Sequence, residues 1–234
     1  MLYLQRLAVK SPRQQKYPTV SRYIMITVLK DIFETKIGII EICINCDSDY
    51  ENEVLDGLKA ETINYKIIIK TVDLKKSILP DNMKIDSSKG WRIYIEKETN
   101  YIENLIVICK LINPTKDTIF SSDCGENLDA VLIENEDGNL HIGTEDGEKM
   151  RQRSENDNWF PKRLKNFVSL ENPITEFIDY GFLTTIPHLK KSEKIYLHFL
   201  IATNYEIGNS QNELSTWFAV ESSKEELDDE KYIC

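Results

Sequence analysis

The chain has 234 residues, 41% hydrophobic and 29% charged, with 39 acidic against 29 basic side chains and a net charge of -10. That balance is globular: it excludes a disordered, collagenous or coiled-coil chain and suits one large domain or two small ones. Residues 1–36 carry seven bases against two acids, so the acidic excess lies downstream. An acidic exterior repels phosphate backbones and speeds capture of basic partners, which points to a protein partner and away from nucleic acid.

The first ten residues lack the basic opening, apolar centre and small-residue cleavage site of a secretory signal. The most apolar window, Tyr23–Leu29, meets Lys30 and Asp31 far short of the roughly 20 residues that cross a bilayer, so no membrane span is expected. Five cysteines (43, 46, 109, 124 and 234) are an odd number in a chain large enough to fold without staples, which favours a reducing, cytoplasmic setting. Cys234 is the last residue, whereas a prenylation box needs its cysteine four from the end.

Lys10–Pro18 reads as a loop because proline biases its predecessor away from helix. Val20–Phe33 fits a strand through Ile24, Ile26 and Val28, and a helix through Ile24, Val28 and Phe33; we read it as a helix. Ile37–Ile44 is a buried strand, and Ser48-Asp-Tyr-Glu51 matches a capping box, followed by Tyr50, Val54, Leu55 and Leu58 on one helical face. With a strand at Asn64–Lys70, residues 37–72 read as a β-α-β unit.

Beyond Pro80 the period becomes two. Strands are expected at 91–96, 105–111, 195–201 and 214–220, with a hairpin of 130–133 and 140–142 turning at Asp137-Gly138. The fold class is therefore α+β: a small N-terminal β-α-β-containing region at 1–85 with a basic arm, then a mainly antiparallel immunoglobulin-like β-sandwich at 86–234. A polar excursion at 143–172 holding a short helix and an acidic, frayed tail complete it.

The candidate chemistry is thin. Cys43-Ile-Asn-Cys46 sits between a strand and a capped helix, where a dithiol gains reactivity, but Cys43 lies inside the apolar run. Zinc would need a second ligand pair beside the isolated Cys109, Cys124, His141, His188 and His198. Asp47–Glu53 alternates carboxylates as a calcium loop does, yet Asn52 and Leu58 stand where glycine and glutamate are needed. Ser122-Asp-Cys124-Gly125 reads as a turn before the next strand. Phosphate-cradling glycine motifs are absent from the sequence, and no cofactor or metal is expected.

The resulting expectation is a non-catalytic protein that neutralises a basic partner, as an immunity or antitoxin protein does to a bacterial toxin. Its contact residues would be Glu134, Glu136, Asp137, Glu145, Asp146 and Glu148, with Trp159 and Phe160 as apolar anchors. The alternatives are a thiol redox protein using Cys43 and Cys46, and an assembly module whose sandwich offers an edge strand to another chain.

Overall fold

A computed structural model describes residues 25–47, 53–54, 58–62, 64–72, 79–80, 83–156, 159–166, 168–169, 171–206 and 214–222. In chain order the elements are β1 (Ile26–Glu34), β2 (Ile39–Cys46), β3 (Glu53–Val54), β4 (Lys59–Glu61), β5 (Tyr65–Val72), β6 (Ser87–Lys97), β7 (Leu105–Ile112), β8 (Ile119–Gly125), β9 (Leu128–Asn135), β10 (Gly138–Glu145), α1 (Gly147–Asn156), a 3-10 turn at Lys162–Leu164, β11 (Thr175–Ile178), β12 (Gly181–Ile186), β13 (Lys194–Asn204) and a second helix, α2, over 214–222.

Alternation builds two sheets around one core. Ile40, Ile42, Ile44 and Cys46 of β2 point inward, as do Leu105, Val107, Cys109 and Leu111 of β7, Trp91, Ile93 and Ile95 of β6, and Ile195, Leu197, Phe199 and Ile201 of β13. Each fully buried aliphatic or aromatic side chain contributes about 1.5–3 kcal/mol. One sheet has five strands in the order β1-β2-β7-β12-β11, and the other has eight in the order β3-β4-β5-β6-β13-β10-β9-β8. Every pairing is antiparallel. The arrangement is sandwich-like, with thirteen strands among the described residues against the roughly seven to nine of the immunoglobulin type.

Several expectations need correction. Of the helix read over Val20–Phe33, residues 20–24 lie outside the described residues and the rest, from Ile26, is strand β1. Its register shifts between Thr27 and Leu29, so the neighbours Val28 and Leu29 are both buried and the period of two is broken where a helix was read. The β-α-β unit is not built: β2 and β5 lie in different sheets, and Glu53–Val54 pairs with β4 as a hairpin. Ala60 is the inward residue of a three-residue strand, too short for periodicity to reveal. The expected capping box at 48–51 lies outside the described residues.

The strand expected at 214–220 is helical. Ser215, Thr216, Ala219 and Val220 are its buried positions, a helical spacing that lays α2 on the outer face of the large sheet against Leu128, Leu200 and Ala202. On the two sides of the boundary between 85 and 86, β5 and β6 pair in register, and β2 pairs with β7. The excursion at 143–172 begins later than expected: Gly143–Glu145 complete β10, and α1 follows as its short helix.

Two glycines are required by close approach. A Cβ on Gly181 would lie 2.1 Å from the Cys109 carbonyl oxygen, and one on Gly138, at φ 138°, would lie 2.3 Å from that of Asn204.

The sandwich has two unlike flanks. On one, Asp31 of β1 reaches across to the large sheet, its Oδ2 accepting hydrogen bonds from Lys89 Nζ (2.9 Å), Trp91 Nε1 (2.7 Å) and Thr71 Oγ1 (3.3 Å). Burial opposes ionisation of Asp31, but the bonds from Lys89 and Trp91 outweigh it and hold the carboxyl below its ordinary range. On the other flank the β11–β12 turn touches the start of β8 through Tyr180, and a cavity lies beside that contact, between the edges β11 and β8. Asp31→Ala deprives three inter-sheet donors of this acceptor and is expected to cost about 2 kcal/mol. Urea unfolding checks this, with Lys30→Ala, whose bridge to Glu41 is solvent-exposed, leaving the midpoint nearly unchanged.

Candidate protein-binding surface

The nominated acidic group divides on folding. Glu136 and Asp137 are exposed at the β9–β10 turn and Glu134 is half-buried on β9. Glu145 is only 2% exposed, and its Oε2 receives Arg153 Nη1 at 2.5 Å. The same guanidinium lies over the Tyr196 ring, 4.5 Å from its centroid, and donates to the Tyr196 carbonyl. Asp146 is buried as the cap of α1, its Oδ1 accepting the Lys149 amide at 2.7 Å. Glu148, in the first helical turn, pairs with Arg151. Phe160 is buried in the main core, and Trp159 is half-buried with its ring edge-on to Tyr94 and Lys194 above it.

Glu145, Asp146 and Phe160 therefore serve the interior. The sequence held one local signal of this, since an aspartate before a helix with glutamate in its first turn is a start signature. The Glu145–Arg153 pairing spans a strand end and a helix, and local spacing carries no trace of it.

The dithiol is also divided. Cys43 and Cys46 are three apart in a strand, so they point to opposite faces: Cys46 joins the core and Cys43 lies outside it. Burial and the nearby Glu41 push the Cys43 thiol up, away from reactivity. Among the described residues no His, Cys, Asp and Glu cluster could hold a metal ion, and no helix is long and apolar enough to cross a membrane.

The surface most open to a partner was not read from the sequence. β8 is the outer strand of the large sheet and all seven of its residues are exposed. Its register with β9 runs without a shift, and Ile119–Gly125 contains neither proline nor lysine, the usual guards of an edge. The other edges differ: β1 carries a bulge and the Asp31 bridge, β3 is two residues long, and β11 is four. Ile119 is 62% exposed and Phe120 43%.

Between the edges β8 and β11 lies a cavity of about 190 Å³ lined by Phe120, Ser122, Val131, Phe177, Ile178 and Asp179. Aromatic contacts fix its walls. Phe120 packs on Tyr180 with centroids 4.6 Å apart, the Tyr180 hydroxyl donates to the Thr118 carbonyl, and Phe177 stacks on the buried Phe182 at 5.0 Å. Tyr180 holds φ at 64° in the two-residue turn from β11 to β12, which aims its ring at the start of β8.

Charge around the cavity is one-sided. The segments 113–126 and 175–180 hold Asp117, Asp123, Glu126, Glu176 and Asp179 against Lys116. His141 Nε2 lies 4.0 Å from Asp123 Oδ2, but burial pushes His141 down to about 3, so the imidazole is neutral at physiological pH and does not itself offset the Asp123 charge. Its Nδ1 lies 2.8 Å from Thr216 Oγ1, tying β10 to α2.

Elsewhere two buried charged groups stand apart. Lys97 and Glu103 are 1% and 4% exposed; the lysine ammonium sits 3.8 Å from the Tyr65 ring centroid, and Tyr65 Oη donates to the Glu103 carbonyl. Burial lowers Lys97, and the Glu103 charge partly offsets that.

Comparison with family models, curated proteins and solved structures returns no match to the chain.

Two outcomes follow from these environments. Asp129 is raised to about 6 by burial and by Asp146, above its ordinary 3.8, so its bound proton stabilises the fold below pH 4 and that stability is lost as pH rises through 6. Asp129→Asn is expected to raise stability at pH 7 by about 1 kcal/mol, after discounting for solvent access, and to flatten the profile between pH 4 and 6 in thermal melts. Among the described thiols, the exposed Cys124 is expected to react with a thiol reagent in the native state well before Cys43, Cys46 and Cys109, as peptide mapping of the labelled protein reads out.

Proposed function

We propose that this chain is a non-catalytic protein-binding protein that captures a basic partner by adding a strand of that partner to β8. The observation that carries the reading is a seven-residue exposed edge with a regular register, apolar residues at its start and a surplus of carboxylates around it. Main-chain hydrogen bonds along an added strand supply affinity, and the side chains beside them supply selectivity. The carboxylates raise the rate of encounter with a cationic surface.

In this reading an immunity or antitoxin role is occlusion of a toxin's basic surface, which asks for shape and charge and for no reaction by this chain. The assembly-module alternative uses the same edge, and the identity of the partner separates the two. Thiol redox chemistry at Cys43 and Cys46 is disfavoured by their opposite faces and the raised Cys43 thiol.

Affinity capture from the native host tests the proposal. The wild-type chain is expected to retain a basic protein that is released as ionic strength rises, and Asp123→Lys combined with Asp179→Lys to retain at least tenfold less of it. Equal retention of that protein by the double variant would contradict the proposal.

A further inference from the structure

We infer that the strand captured at β8 is amphipathic, with large apolar side chains alternating with basic ones, and that one apolar side chain fills the cavity between β8 and β11. This deepens the reading proposed above and rests on it.

Parity along β8 carries the argument. Phe120 and Ser122 line the cavity and Ser122 lies opposite the core residue Val131, so the even-numbered positions face inward. Ile119, Ser121 and Asp123 face outward, Asp123 beside the neutral His141. Directly opposed residues of an added antiparallel strand share a face with their partners. Alternate residues of the incoming strand therefore point between the sheets, toward Phe120, Val131, Phe177 and Ile178. The residues between them lie on the outer face, beside the Asp123 carboxylate.

Size and charge then specify the occupant. A cavity of about 190 Å³ exceeds the roughly 150 Å³ apolar cavity that accepts benzene, so it has room for a leucine or phenylalanine side chain. Phe120 and Phe177, 43% and 44% exposed, are the surfaces that such a side chain would cover. Asp123 outside and Asp179 on the rim favour lysine or arginine in the alternate places and disfavour acidic ones. A second copy of this chain fits poorly: an antiparallel β8–β8 pair centred on Ser122 would put Asp123 of each copy beside Ser121 of the other and bring two acidic edges together.

The test titrates the purified chain, isotopically labelled for amide resonances, with three synthetic peptides. Lys-Leu-Lys-Leu-Lys-Leu-Lys has the inferred alternation, Lys-Lys-Leu-Leu-Leu-Lys-Lys has the same composition without it, and Glu-Leu-Glu-Leu-Glu-Leu-Glu has the opposite charge. The alternating lysine peptide is expected to bind at least tenfold more tightly than the other two and to shift resonances of 119–125, Val131 and 177–179. Ser122→Phe, which fills the cavity from an exposed strand, is expected to remove that preference. Equal affinity for the two lysine peptides overturns the inference while leaving capture of a basic segment at β8 standing, whereas shifts confined to residues away from β8 overturn the inference together with the reading it rests on. Binding by neither lysine peptide, or tightest binding by the glutamate peptide, overturns the inference together with the reading it rests on.

Discussion

Two sheets that share one core must end somewhere, and how each flank of this sandwich ends decides what the molecule presents. Where β1 meets β5 and β6, Asp31 joins the sheets through Lys89, Trp91 and Thr71, so that flank is closed by charge-assisted hydrogen bonds within the chain. At the opposite flank, β11 and β8 leave apolar side chains and a row of backbone groups facing solvent. The inward apolar residues of β2, β6, β7 and β13 form the core that holds both flanks in place. The contrast between a flank closed by a charged cluster and one where a cavity and an exposed edge lie beside the Tyr180 contacts is the physical basis of the functional reading.

The outer face of the large sheet is covered as well. α2 lays Ala219 and Val220 over Leu128, Leu200 and Ala202, while α1 brings Arg153 onto Glu145 and Tyr196. This consumes acidic residues that composition alone assigns to the surface. A buried pair such as Arg153–Glu145 contributes little net stability over an apolar replacement, yet loss of either partner strands the other charge. Its structural consequence is to fix α1 over the end of β10, leaving Glu136 and Asp137 as the open members of the group nominated from sequence.

Legibility in the sequence followed burial on one face. β6, β7 and β13 were readable from alternation, as in Leu105, Val107, Cys109 and Leu111, and β2, β5 and the β9–β10 hairpin from short apolar runs and the Asp137-Gly138 turn. β1 was misread because a bulge places two consecutive residues inward, and α2 because Leu214–Val220 mixes apolar and polar residues at a spacing that fits either period. β8 and β11 were not readable at all. An edge at an open flank has no buried face to impose a pattern, so Ser121, Ser122 and Asp123 look like loop residues. The candidate surface was therefore the least legible part of the fold, and the carboxylates that composition singled out are partly structural.

Hydrogen–deuterium exchange of the chain with and without its captured partner tests the central claim most directly. The outward-facing amides of an exposed edge exchange freely until a strand is added to them. The account predicts that partner binding slows exchange across 119–125, with a smaller effect at 175–180 and none on β1. Protection on α1 or the β9–β10 turn with β8 unchanged would contradict it.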